Sequence, residues 1–168
     1  MIKIIVNIYQ CDDLTVFINY ITLLDIRVGD LYDLLKAKFK NINIVFINPD
    51  IIFGLDHILG IIKIIKENSK REEKGIIKNS DIEFLLRICY TNQISTAFEK
   101  LEHCKRSDDN NNNSFIYILF SKSLSDIKNA SAFVEGYDAE EKDAKENTKI
   151  INTLVGMSDN KKAFILKL

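Results

Sequence analysis

The chain is poor in the residues that mark the simplest kinds of site. It has one proline, six glycines, three cysteines and two histidines in 168 residues, and a formal charge of -1. Six glycines leave little room for a phosphate-cradling loop, and neither GxGxxG nor GxxxxGK[ST] occurs. Cys11, Cys89 and Cys104 are scattered and form no CxxC pair, which favours a reducing compartment over a disulfide framework. His103 and Cys104 with Cys89 make a poor zinc set, because structural zinc takes four ligands in closely spaced pairs and this set has three and one poor pair. The near-zero charge excludes a global basic field for nucleic acid and leaves only local patches. No basic segment followed by an apolar block and a small-residue cleavage site opens the chain. Its most apolar run is broken by Asp56, His57 and Lys63 and is too short for a bilayer. These absences predict a soluble intracellular, cytoplasmic protein that needs no metal or other cofactor and contacts no membrane.

What the chain does have is isoleucine-rich apolar sequence, 46% hydrophobic overall, and enough length for one domain with a real core over residues 1–168. The centre of organisation is residues 46–66. Pro49 ends a strand, Asp50 is placed to cap a helix, and Leu55 to Lys66 reads as a helix apolar nearly all round, hence central. Ahead of it, Ile2 to Tyr9 and Thr15 to Leu24 read as a hairpin turning at Gln10–Asp13. A helix follows over Leu31 to Phe39, capped by Asp30, with Leu31, Leu34, Leu35 and Lys38 at helical spacing on one face and Tyr32 and Lys36 outside it. Asn43 to Ile47 is a short, wholly covered strand of the kind found at the centre of a sheet. Beyond the apolar helix, Ser80-Asp81-Ile82-Glu83 has the pattern of a capping box. The helix it opens carries an Ile82, Leu85, Leu86, Cys89 stripe. Thr91 and Asn92 end that helix and cap another, with Ile94, Ala97, Phe98 and Leu101 as its buried stripe. Asp108 to Asn113 is a polar loop, Phe115 to Phe120 a fourth strand, and 124–137 a short helix followed by an edge strand at 132–134. Glu140 to Val155 reads as a charged helix. The sum is a single α+β domain, with a mixed sheet of four or five strands flanked by helices.

Chemistry is sparse. Asp56 and His57 are adjacent on a helix and point about 100° apart, so they make no catalytic pair, and no serine or cysteine completes a triad. A small cysteine–histidine enzyme is therefore the weakest reading, and His57 is expected to be structural. The stronger polar feature is the basic stretch 63–78. It ends beside two predicted helix N-termini, whose N–H groups and dipole suit phosphate. Lys74 and Lys78 from the loop, with Asn79, Arg87 and Gln93, form a candidate RNA surface. Lysine contacts phosphate, asparagine and glutamine read base edges, and Tyr90 is available to stack a base.

Two stretches also carry a resemblance. The segment Ile47-Asn48-Pro49-Asp50-Ile51-Ile52-Phe53-Gly54-Leu55-Asp56-His57-Ile58-Leu59 is a strand–turn–helix motif. It is followed by Asn79-Ser80, Glu83-Phe84-Leu85-Leu86 and Thr91-Asn92-Gln93-Ile94-Ser95-Thr96-Ala97-Phe98-Glu99-Lys100. In order and spacing over residues 43–105 these resemble the kinase-binding accessory subunit of the KEOPS complex, the PRPK-binding protein family. The matching positions are Gly54, His57, Asn79, Ser80, Glu83, Gln93 and Ile94. The resemblance implies a non-catalytic subunit that binds the small KEOPS protein kinase and brings tRNA, by its 3′ CCA end, to the complex that makes threonylcarbamoyl-adenosine. Where archaeal members have a small-residue turn and an arginine before the Gln-Ile pair, this chain has Cys89-Tyr90-Thr91-Asn92. The family's longer apolar C-terminal helix is matched here only by Phe164, Ile165, Leu166 and Leu168, which are the expected kinase contact. The alternative is an interaction module of the same fold that does not bind tRNA.

Overall fold

The computed structural model describes residues 8–23, 26–47, 54–70, 80–102 and 113–137. A hairpin opens it, β1 (Ile8–Cys11) and β2 (Leu14–Leu23). The turn is only Asp12 and Asp13, shorter than predicted, because Gln10 and Cys11 stay in the ladder opposite Thr15 and Leu14. Asp12 sits at φ 53°, a left-handed conformation that aspartate tolerates better than most residues. Lys66 reaches both turn carboxylates, and Lys122 lies 3.3 Å from Asp13. Hydrogen bonds from these two ammonium groups hold the Asp13 carboxyl down at about 2. The cluster is exposed, so it fixes the turn's direction more than it adds stability.

The chain continues through α1 (Val28–Lys38), β3 (Asn43–Ile47), α2 (Leu55–Lys70), α3 (Ser80–Ile88), α4 (Ile94–Glu102), β4 (Asn113–Ser121) and α5 (Leu124–Glu135). The architecture is α+β, and the four described strands pair antiparallel throughout in the order β1-β2-β4-β3. Among the described strands the sheet is therefore antiparallel rather than mixed, and β3 stands at its edge rather than at its centre. Its sequence misled because both of its faces are covered, which produces an apolar run at any position in a sheet. Alternation sorts the strands cleanly between two cores. Val16, Ile18, Val45, Ile47, Ile116, Ile118 and Phe120 face α2, α3 and Ala97 of α4. Phe17, Ile21, Ile44, Phe46, Phe115, Tyr117 and Leu119 face α1 and α5.

Several helices depart from their predicted faces. In α1, Arg27 stands at the N-cap without a side-chain bond, and Asp30 lies inside the first turn. Leu34 is exposed, while Tyr32 and Lys36 turn inward. Helix α2 is amphipathic rather than apolar all round. Ile58, Ile61, Ile62 and Ile65 are buried, while Asp56, Gly60, Lys63 and Ile64 are exposed. In α4 Ala97 of the predicted stripe is buried, whereas Ile94 and Phe98 are exposed. The stretch 124–137 holds one continuous helix and no strand at 132–134. Ser123 accepts from the Asp126 N–H at its start, and Ile127, Ala130, Ser131 and Val134 form its buried face. The caps read at Asp50, the helix over 140–155 and the apolar end at 163–168 lie outside the described residues.

One buried carboxylate ties these layers together. Asp81, 4% exposed, accepts from the Ile44 N–H at 3.1 Å, on the edge of β3 that β4 does not cover. Its other oxygen accepts from the Tyr32 hydroxyl at 2.9 Å and lies 3.0 Å from the Lys36 ammonium, which also donates to the Ile42 carbonyl. A residue of α3 thereby holds a sheet edge and a helix from the opposite face. Asp81→Ala leaves those donors and a cation facing the cavity, and is expected to cost roughly 3–5 kcal/mol. Asp81→Asn keeps the shape and the acceptor toward Ile44 and costs less. Urea unfolding measures both, and a loss below about 1 kcal/mol for the alanine variant would show that the clasp is not structural.

Candidate functional site

Among the described residues an open groove of about 810 Å³ lies between α2 and α3. Ile61, Ile64 and Leu86 give it an apolar floor, and Asp56, His57 and Gly60 of α2 line one wall. The other wall is Glu83, Arg87 and the segment that ends α3, Tyr90-Thr91-Asn92.

The end of α3 is built without glycine. Tyr90 N–H donates to the Arg87 carbonyl at 3.3 Å, and Thr91 N–H to the Leu86 carbonyl at 3.1 Å. That pair of bonds is a Schellman motif, whose C′ residue must adopt φ > 0 and is usually glycine. Here it is Tyr90, at φ 53°. A left-handed side-chain-bearing residue costs about 1–2 kcal/mol. The conformation swings the phenol out of the helix and onto His57. The two rings are nearly parallel, 14° apart with centroids at 5.8 Å, an offset stack. The Tyr90 oxygen lies 3.3 Å from His57 Nε2, and with that nitrogen unprotonated the phenol donates to it. Burial lowers the pKa of the imidazole and raises that of the phenol, so both rings are neutral near pH 7.

Arg87 is positioned from its own helix. Its Nε and Nη2 both bond Glu83 Oε1, at 3.1 and 3.0 Å, one turn earlier. Asn68 of α2 reaches the same oxygen at 3.3 Å, so Glu83 bridges the helices that flank the groove. That acceptor is directed to Asn68 and Arg87, not back to the helix start that a capping box would satisfy. Past the groove, Thr91 Oγ1 accepts from the Gln93 N–H at 3.2 Å, and the Gln93 carbonyl receives the first turn of α4. The Gln93 side-chain oxygen accepts from Thr96 at 3.2 Å.

Of the predicted RNA residues, Arg87 and Tyr90 come together in the groove. Gln93 does not line it, because it caps α4, and Asn92 is there instead. Lys74, Lys78 and Asn79 lie outside the described residues, as do the predicted kinase contacts Phe164, Ile165, Leu166 and Leu168. The residue that sequence reasoning undervalued is His57. Its signal was present in its place one turn after Gly54, but its partner stands 33 residues away. Cys11 and Cys89 are both buried, and neither lines the groove with His57. Among the described residues no group of histidine, cysteine and carboxylates is arranged to hold a metal, and no helix is long and apolar enough to cross a membrane.

The fold and groove define an α+β domain with a polar-walled, aromatic-lined surface site. Compared with known protein families and with characterised proteins, the chain matches none.

Two outcomes follow from this geometry. Tyr90→Gly removes a ring stack, worth about 0.5–1.5 kcal/mol, and relieves backbone strain of similar size. Its stability should stay within about 1 kcal/mol of wild type in urea unfolding, and a loss above about 2 kcal/mol would make the ring a core residue. For His57 the folded-state pKa lies below the ordinary 6.5, so the unfolded chain binds the proton more readily. The stability this contributes is fully present above pH 6.5 and is lost as pH falls through the folded value. Melting temperature should therefore decline on acidification below pH 6.5, and His57→Gln should flatten that decline.

Proposed function

We propose that the chain is a non-catalytic accessory subunit of the KEOPS type, which binds the complex's protein kinase and recruits tRNA by its single-stranded 3′ CCA end for threonylcarbamoyl-adenosine modification. The observation that supports this reading best is the groove between α2 and α3, where Arg87 and Tyr90 line one wall. A guanidinium suits phosphate, and a half-exposed phenol suits a base face. The resemblance over residues 43–105 covers both walls. Lys74, Lys78 and Asn79 precede α3 in sequence and are assigned to phosphate and sugar contacts, while the Gln93 side chain serves the start of α4. Asn92, in the groove, is assigned to the base edge. The compartment we assign is the cytoplasm, and also the nucleus in a eukaryotic cell.

Exposed apolar residues favour a second reading. Ile64, Tyr90, Ile94 and Phe98 are each 45–53% exposed on α2, on α4 or at the end of α3. An interaction module that contacts proteins alone would use such a surface.

Fluorescence anisotropy with intact tRNA and with tRNA trimmed of its CCA separates the two readings. The first expects weaker binding after trimming, with a salt slope of about -0.7 per phosphate contacted. Lys78→Ala should weaken every RNA alike, and Asn92→Ala should erode the preference for CCA over a scrambled end. Equal affinity for intact and trimmed tRNA would favour the interaction module. For the kinase contact, removal of residues 163–168 should abolish co-purification of the kinase while leaving the far-UV circular dichroism unchanged. Retained binding would place the contact elsewhere.

A further inference from the structure

We propose that the face bearing the groove pairs with a second copy of this chain: each protomer lays the exposed row of α4, Ile94 and Phe98, into the other's groove between α2 and α3. The inference goes beyond both functional readings, and its test involves neither RNA nor kinase.

The chain carries both halves of such a contact. The hollow half is the groove, with Ile61, Ile64 and Leu86 as its floor. Ile64 is 45% exposed, so the floor keeps apolar surface in water. The raised half is α4. Ala97 is buried, whereas Ile94 and Phe98 are 45% and 49% exposed. They stand four residues apart and so form one row on the helix. That row is an unpartnered apolar stripe rather than a scatter of single residues. Asn92 lines the groove and Ile94 opens α4, so hollow and ridge are neighbours in the fold. A twofold axis needs this arrangement: each copy gives its ridge and receives the other's, and the contact closes at two. A foreign segment filling the groove would leave the α4 row in water. A second copy covers both.

Charge fits the same occupant. Successive residues on a helix point about 100° apart, so with Ile94 and Phe98 on the floor Glu99 faces a wall. Glu99 is exposed and makes no ion pair among the described residues. The cation of the wall is Arg87, whose side chain is 38% exposed. Its Nε and Nη2 bond Glu83, and its Nη1 makes no hydrogen bond among the described residues. The twofold repeats the pair, so Glu99 of each copy meets Arg87 of the other, and two crossed ion pairs fix the register. A net charge of -1 sets up little long-range repulsion between copies. A copy seated in the groove covers Arg87, so self-association and RNA binding at that site exclude each other.

Sedimentation equilibrium on the full chain, from about 5 to about 500 μM, tests the pairing. Wild type should fit a monomer–dimer equilibrium in the micromolar range. Phe98→Ser should weaken it by about tenfold or more. Glu99→Arg and Arg87→Glu should each weaken it, because each sets like charges against one another across the contact. An equimolar mixture of these two variants should dimerise about as tightly as wild type, since both crossed pairs re-form with their signs exchanged. Arg87→Glu puts a carboxylate near Glu83, so its fold is checked by far-UV circular dichroism. If that fold is lost, Phe98→Ser and Glu99→Arg, both at exposed positions, decide the matter. A wild type that stays monomeric throughout overturns the inference and leaves the face to a segment of this chain or to another protein. A dimer that Phe98→Ser and Glu99→Arg leave as tight as wild type overturns it too, because the contact then uses another face. A mixture of folded variants no tighter than either alone overturns the crossed pairs, and association that continues past the dimer overturns the closed exchange.

Discussion

The Asp81 carboxylate is the interaction on which the arrangement of layers depends. An edge strand offers unpaired N–H groups, and a sheet covered by helices on both faces has no obvious means of closing that edge. Here a helix on one face supplies an acceptor to the edge, and a helix on the other face supplies two donors to the same acceptor. A buried carboxylate is costly alone and tolerable when its oxygens are satisfied, so the pieces are mutually necessary. The arrangement also fixes where α3 lies. With Asp81 at β3, the helix passes beside α2 at the height where Glu83 meets Asn68 and where its end meets His57.

The groove is a by-product of that placement. Helix α3 is buried over most of its surface, including two acidic residues, and only Arg87 and the Tyr90 turn emerge. The acidic residues have separate tasks. Asp81 anchors the helix to the sheet edge, while Glu83 spans to α2 and presents Arg87. Among the described residues Arg87 is the one cation lining the groove, and it stands beside its own counter-ion. A site of this kind gains from shape and stacking more than from long-range attraction, in keeping with a chain of near-zero net charge.

Much of this was legible in one dimension. The strands at 43–47 and 115–120, the hairpin, the helix after Gly54 and the stripe Leu85, Leu86, Cys89 follow from period and punctuation alone. The errors have a common origin. Inward polar residues in α1 and outward apolar ones in α1 and α4 were assigned by hydrophobicity, yet Tyr32 and Lys36 turn inward toward a carboxylate 45 or more residues away. The covered edge strand looked central because coverage, not position, sets its composition. The helix at 124–135 was split because its inward positions are small or polar, Ala130 and Ser131 among them.

The sequence by itself determined the fold class, the local elements and which residue types were on hand for a site: one arginine and one tyrosine on the α3 segment, one histidine at the start of α2. The tertiary structure alone decided that His57 and Tyr90 share a stack, that Gln93 caps a helix while Asn92 enters the groove, and that β4 inserts between β2 and β3. The reason is the range of the forces involved. Periodicity and capping act within a few residues, where the sequence can be read directly. A ring stack, a buried carboxylate and a strand order depend on contacts between segments tens of residues apart, and those exist only once the chain has closed on itself.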